Sequence, residues 1–88
     1  MLEREVEAYL VKRARELGGE CRKVAWVGRH SAPDRIALLP GKSIWFELKR
    51  PGAKARPAQL REHERMRFAG MVVVVADTFE LVDEALNA

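Results

Sequence analysis

The chain has 88 residues, 48% of them hydrophobic, with 16 Lys and Arg against 13 Asp and Glu and a net charge of +3. A membrane span is excluded, since no stretch approaches ~18 consecutive apolar residues, and the charged first residues do not resemble a secretory signal. With Cys21 as the single cysteine, an internal disulfide and a structural zinc site are excluded, and a cytoplasmic location is expected.

The spacing of apolar residues predicts one domain, residues 1–88, with elements in the order αβββαβα. Helices are predicted at residues 2–17, 57–69 and 77–86, and strands at 21–27, 34–39, 43–49 and 71–76. Asp77 and Glu80 have the spacing of a capping box that would open the last helix. The strand at 71–76 is nearly all apolar and is expected to be buried on both faces and parallel to the strand at 43–49. The expected fold class is α/β, with a small mixed β-sheet flanked by helices.

Two acids are predicted to meet in the hairpin formed by the second and third strands. If the turn centred on Pro40-Gly41 has an even number of residues, Asp34 lies directly opposite Glu47 on the same face, with β-carbons roughly 4.5–5.5 Å apart. Two carboxylates so placed repel each other, so a positive group should lie between them. A divalent cation is one candidate and Lys49 is the other. A turn of odd length would break this pairing, and a charged strand face without function is the alternative reading of the third strand alone.

These residues resemble a known nuclease signature. Ser31-Ala32-Pro33-Asp34 followed by Glu47-Leu48-Lys49 resembles the Pro-Asp … Glu-x-Lys pattern of the PD-(D/E)XK superfamily. The string from Phe46 to Gly52, followed by Pro57-Ala58-Gln59, resembles the VRR-NUC family within it, although Ala32 stands where that family usually has Gly. The resemblance runs from Glu3 to about Val75. It implies a restriction-endonuclease-like core and metal-dependent hydrolysis of phosphodiester bonds.

The resemblance also implies roles for individual residues. Asp34, Glu47 and the backbone carbonyl of Leu48 would hold Mg²⁺ or Mn²⁺, and Lys49 would orient or activate the attacking water. Gln59 would hydrogen-bond a water or a phosphate.

A further acid is expected from the first helix. Glu3 shares the buried stripe and Glu7 lies at its edge, whereas Glu5 points to solvent. The family pattern places its acid where Glu3 stands, and Glu7 stays an alternative.

Basic residues flank both acidic motifs and are predicted to hold the phosphates of DNA without reading sequence. These candidates are Arg29, His30, Arg35, Arg50, Lys54 and Arg56. His63, in the middle of the second helix, is interpreted as structural. Three further arginines of that helix are interpreted as a solvated face paired with Glu62 and Glu64.

The function that these features favour is a Mg²⁺-dependent endonuclease acting on branched or otherwise structured DNA, such as four-way junctions. So short a chain offers little surface to grip a duplex, which predicts a homodimer with two symmetric sites. One alternative is a flap or nicking nuclease that serves as a subunit of a larger repair or restriction complex. Another is a non-catalytic nucleic-acid-binding module of the same fold.

Overall fold

The computed structural model describes all 88 residues and contains three helices and a sheet of four strands. In chain order the elements are α1 (Glu3–Glu16), β1 (Glu20–Lys23), β2 (Arg35–Leu39), β3 (Lys42–Leu48), α2 (Pro57–Phe68), β4 (Val73–Ala76) and α3 (Phe79–Asn87). The strands lie side by side in chain order, antiparallel except for β4, which is parallel to β3. The predicted order αβββαβα and the small mixed sheet are confirmed. No helix combines the length and the apolar character that crossing a lipid bilayer requires.

Helices α1 and α3 cover one face of the sheet and α2 covers the other. The core beneath α1 and α3 contains Phe46 and Leu48 of β3, Leu10 of α1 and Val82 of α3, all at most 1% exposed. Since successive side chains of a strand point to opposite faces, Glu47 lies on the other side of the sheet. Helix α2 therefore packs against the face that carries the acid of the Glu-x-Lys motif.

The segment between β1 and β2, residues 24–34, leaves the sheet. Strand β1 was predicted to continue to Val27, but it ends at Lys23. The reason is a contact distant in sequence, in which the Trp26 indole donates to Glu62 of α2 and draws the chain over the α2 face. The segment rejoins the sheet at Asp34, whose backbone carbonyl accepts a hydrogen bond from Val24 N–H at 3.0 Å.

Strand β4 forms one edge of the sheet, paired with β3 alone. Val73 and Ala76 at its ends are buried, whereas the two valines between them are only half-buried. The prediction that this strand is buried on both faces is wrong, because the helices pack over the centre of the sheet and cover an edge strand incompletely.

The turn after α1 brings the backbone unusually close to β2. Gly18 takes a left-handed conformation with φ of +85° and ends the helix, as glycine commonly does. At Gly19, a β-carbon would lie 2.1 Å from the carbonyl oxygen of Leu38, so no other residue fits there without a shift of the backbone. This contact fixes the C-terminal end of α1 against the hairpin.

The N-cap of helix α3 lies one residue later than predicted. Thr78 is its N-cap, and the Thr78 hydroxyl accepts a hydrogen bond from Leu81 N–H at 3.1 Å. Asp77, predicted to be the cap, instead accepts from Gly52 N–H at 2.9 Å. Asp77 therefore holds the loop that follows β3, and this occupies its carboxylate away from the helix.

Candidate active site

The β2–β3 hairpin brings the two predicted acids to the same end of the sheet. Its turn has two residues, Pro40-Gly41, and its register pairs Arg35 with Phe46. Continuing that register by one residue places Asp34 opposite Glu47. The predicted register is confirmed, and with it the convergence of the two carboxyl groups.

Asp34 is fixed against β3 by the backbone. Its Oδ2 accepts a hydrogen bond from Leu48 N–H at 2.8 Å, so the side chain bridges the end of the hairpin just beyond the last pair of the ladder. A carboxylate held in this way keeps one orientation toward its neighbour Glu47.

Glu47 is almost completely buried, at 1% exposed. Burial raises the pKa of its carboxyl to about 8, and Asp34 adds to the shift by hydrogen bonding and by its negative charge. The charge of Lys49 lowers the pKa and that of Glu3 raises it further, by smaller amounts. A buried carboxyl beside a second acid resists ionisation, so Glu47 retains its proton at neutral pH unless a cation replaces it.

Two side chains of α2 hold the Glu47 carboxylate. Gln59 Nε2 donates to Oε2 at 3.3 Å, and His63 Nε2 lies 3.2 Å from Oε1. The two residues are four apart and so lie on one face of the helix. Gln59 Oε1 in turn accepts from Arg56 N–H at 2.8 Å, so the start of α2 is fixed by the same side chain that contacts Glu47.

Lys49, the side chain that competes with a metal ion for the space between the acids, does not neutralise them. It is half-buried, and its ammonium forms no ion pair with either acid within 4.0 Å. The charge of Lys49 is felt at Glu47 without direct contact.

The donor set at this site suits a hard divalent cation. No three side chains of His, Cys, Asp or Glu converge to form a metal site, so any ion here would rely on two carboxylates together with backbone and water oxygens. Mg²⁺ is typically bound by one or two carboxylates and keeps several waters. The proton that Glu47 retains at neutral pH is what such an ion would displace.

Helix α1 brings Glu3, rather than Glu7, toward the acidic pair. Glu7 Oε2 accepts from Arg35 Nε at 2.9 Å in a partly buried ion pair. Glu3 is exposed on the first turn, and its charge is among those that raise the pKa of Glu47. Glu3 is therefore electrostatically coupled to the site, while the charge of Glu7 is already compensated.

The six basic candidates fall into two groups. Arg29 pairs with Glu62, Arg35 pairs with Glu7, and the His30 ring contacts the neighbouring Ser31 hydroxyl at 2.8 Å. The other group has exposed side chains that form no ion pair, and it consists of Arg50, Lys54 and Arg56. This second group, on the loop after β3, has its charges available to a polyanion.

Sequence reasoning missed the depth at which two residues of α2 are buried. Glu62 pairs with Arg65 as predicted, yet it is 5% exposed and not part of a solvated face. His63, interpreted as structural, contacts Glu47. The available signal was the four-residue spacing of Gln59 and His63, which places both on the helix face directed at the acid.

Comparisons with known proteins agree with this geometry. No model of a protein family matches the chain. A solved structure described as a VRR_NUC domain superposes with a TM-score of 0.88 at 40% identity, covering 97% of this chain and 94% of the other. The protein "Putative nuclease p44" of Acyrthosiphon pisum secondary endosymbiont phage 1 is 44% identical over 77 residues, covering 86% of this chain and 83% of the relative. The chain belongs to the VRR-NUC nuclease family.

In this VRR-NUC nuclease the two motifs are adjacent in space although they are separated in sequence. Pro33-Asp34 directly precedes β2, Glu47 and Leu48 end β3, and Lys49 follows it directly. The antiparallel hairpin places both at the end of the sheet from which the 50–56 loop and its free basic side chains emerge.

Proposed function

We propose that this VRR-NUC nuclease is a Mg²⁺- or Mn²⁺-dependent endonuclease of branched DNA. The observation that carries the proposal is the pairing of Asp34 with Glu47, whose pKa is raised to about 8 by burial and by the neighbouring Asp34. No lysine or arginine of the chain forms an ion pair with either of them. A divalent cation is the group that would make both carboxylates stable in their ionised form.

Asp34, Glu47 and the backbone carbonyl of Leu48 are the groups that would hold the ion. When bound, a divalent metal lowers the pKa of a coordinated water and offsets charge on the phosphoryl oxygens. Lys49 directly follows β3 and, two residues after Glu47, lies on the same face. Its ammonium, free of a close ion pair, orients the attacking water and stabilises the negative charge that develops on the phosphate.

Two further side chains would support this centre. Glu3 approaches it from the first turn of α1 and would supply the additional acid. Both polar ends of the Gln59 amide are engaged within the protein, which favours a role in holding Glu47 over a direct contact with phosphate.

The substrate class is inferred from the free basic loop. Arg50, Lys54 and Arg56 would contact phosphates, which positions DNA without reading its sequence. A second copy of the chain would double this contact surface and supply the second cut that a four-way junction requires. We therefore propose a homodimer with one site in each subunit.

The test is cleavage of labelled four-way junction, flap, nicked and linear duplex DNA in Mg²⁺, Mn²⁺, Ca²⁺ or EDTA. Junctions should be cut fastest, in Mg²⁺ or Mn²⁺ only. Glu47→Gln should lose roughly 100-fold or more of the rate while still binding the junction in Ca²⁺. Glu64→Gln, which alters an exposed acid of α2, is the matched control and should cut normally.

Four outcomes would contradict parts of the proposal. Cutting in EDTA, or at the wild-type rate by Glu47→Gln, would exclude the metal site. Faster cutting of flaps or nicked duplex would replace junction selectivity with the flap or nicking activity. A mass of one 10.0-kDa chain by light scattering at micromolar concentration would exclude the dimer.

A further inference from the structure

His63 contains a buried polar atom without a partner. The residue is 0% exposed, and its Nδ1 makes no hydrogen bond, the one buried side-chain nitrogen or oxygen in the structure of which this is true. Leaving such an atom unpaired costs roughly 1–3 kcal/mol. A leucine or methionine could fill a buried site without that penalty, so packing alone does not explain a histidine at this position.

The other ring nitrogen supplies the explanation. His63 Nε2 lies 3.2 Å from Glu47 Oε1. With a cation bound, Glu47 would be ionised, and an ionised carboxylate can only accept hydrogen bonds. To donate to Glu47, His63 must carry its N–H on Nε2. Because a neutral imidazole has one N–H, Nδ1 is then left as an unpaired acceptor.

His63 and Gln59 act on the two oxygens of the same carboxylate. Gln59 reaches Oε2 and His63 reaches Oε1, both from one face of α2. A carboxylate that accepts a donor on each oxygen cannot rotate about its last torsion without losing one of them. Its remaining lone pairs are thereby kept in one orientation beside Asp34.

We infer that His63 is a positioning residue, whose Nε2–H orients Glu47 for binding a divalent cation. The inference rests on the proposed function and names a residue that sets the metal affinity of the same site. Partners of metal ligands typically change metal affinity by about 10- to 100-fold when they are removed. The affinity for the metal alone should therefore depend on a donor at position 63.

The experiment measures Mn²⁺ binding by titration calorimetry, without DNA, in the wild type and four variants. His63→Leu removes the donor and keeps an apolar group of similar bulk, and it should bind Mn²⁺ about 10-fold more weakly than the wild type. His63→Gln restores an N–H donor at a similar distance from the backbone and should recover most of the affinity. Met66→Leu, a buried change one turn further along α2, controls for altered packing and should bind normally.

A merely structural role would give a different pattern. Wild-type affinity in His63→Leu, or equal loss in His63→Gln and His63→Leu while both melt like the wild type, would overturn the inference. Glu47→Gln distinguishes a failure of the proposed metal site from a failure of the role inferred for His63. If the wild type binds no Mn²⁺, or Glu47→Gln binds it equally well, the proposed function fails together with the inference. If binding requires Glu47 but not His63, the inference alone fails.

The wild-type protein provides a measurement that does not depend on any variant folding. Nitrogen-15 NMR of the His63 ring in saturating Mg²⁺ should show a protonated Nε2 and an unprotonated Nδ1. A ring protonated at Nδ1 under those conditions could not donate to Glu47 and would overturn the inference.

Discussion

The Trp26 indole donates a hydrogen bond to the Glu62 carboxylate, 2.7 Å away, and ties the segment before β2 to helix α2. Arg29, from the same segment, donates to the other carboxylate oxygen at 2.9 Å. Asp34 ends that segment, and His63, next to Glu62, contacts Glu47. Helix α2 therefore supports both acids of the site, one through the loop that leads to it and one by direct contact.

The Glu62 cluster should be a major source of stability. Burial acts to raise the pKa of Glu62, but hydrogen bonds from Arg65 and Trp26 and the charge of Arg29 outweigh it, and the pKa is lowered overall. Glu62→Ala leaves Trp26 without its acceptor and should lower the free energy of unfolding by about 2–3 kcal/mol, measured by urea denaturation. Glu64→Ala, which breaks the exposed pair with Arg67, should lower it by less than about 0.5 kcal/mol. Equal losses in the two variants would contradict the anchoring role of Glu62.

Glu47 should make the metal-free protein less stable as the pH rises. The pKa of its carboxyl is about 8 in the folded chain against an ordinary value of 4.5. The folded state thus binds a proton that the unfolded state has released, and the resulting stability is lost as the pH passes through 8. In EDTA, the free energy of unfolding should fall by about 1 kcal/mol between pH 7 and pH 8.5.

Glu47→Gln is the control for this pH dependence, since an amide does not titrate. Its free energy of unfolding should be nearly constant over the same interval. The pKa of His63 is lowered by burial, so the ring is neutral throughout this range and adds little. A wild-type-sized decrease in Glu47→Gln would assign the effect to another group.

Of the two candidate acids of α1, Glu3 should contribute to the reaction and Glu7 to the stability of the fold. Glu3→Gln should reduce junction cleavage by about 10-fold or more with little change in stability, because Glu3 is exposed. Glu7→Gln leaves Arg35 without its ionised partner and should lower the free energy of unfolding by about 1 kcal/mol. Cleavage rates and urea denaturation of both variants are the measurements. A larger loss of cleavage in Glu7→Gln would reverse the assignment.

The basic loop after β3 should contribute affinity without discriminating between sequences. Lys54→Ala should weaken binding to junction and linear DNA alike and reduce the slope of log K against log salt by about 1. Fluorescence anisotropy at several salt concentrations measures both. Lys12→Ala removes an exposed charge from the second half of α1 and should leave the slope unchanged. An unchanged slope in Lys54→Ala would place the DNA elsewhere.

Local sequence patterns predicted the hairpin because its determinants are local. The two-residue turn Pro40-Gly41 and the alternation along β3 together fix which side chain faces which, so the meeting of Asp34 and Glu47 followed. The same register places Arg35 on the face of Phe46, toward α1. The Arg35–Glu7 pair was therefore deducible as well, although Arg35 was predicted to bind DNA phosphates.

The departures involve contacts between residues distant in sequence. Trp26 and Glu62 are 36 positions apart, and no local pattern in either segment indicates that they meet. The burial of His63 depends on which helix covers the Glu47 face. The incomplete burial of β4 depends on its place at the sheet edge, since an apolar run is equally compatible with a central strand.

Helix α1 is attached to the hairpin at both ends. Just after its C-terminal end, the carbonyl oxygen of Leu38 lies so close to residue 19 that only glycine fits there. Near its N-terminal end, Glu7 forms an ion pair with Arg35. Glu3 lies one helical turn closer to the N-terminus. Because α1 is held at two points, its first turn and Glu3 should keep one position relative to the sheet. We therefore expect little closure of the enzyme around DNA. The nucleic acid would have to supply the bending, which a branch point does far more easily than an intact duplex.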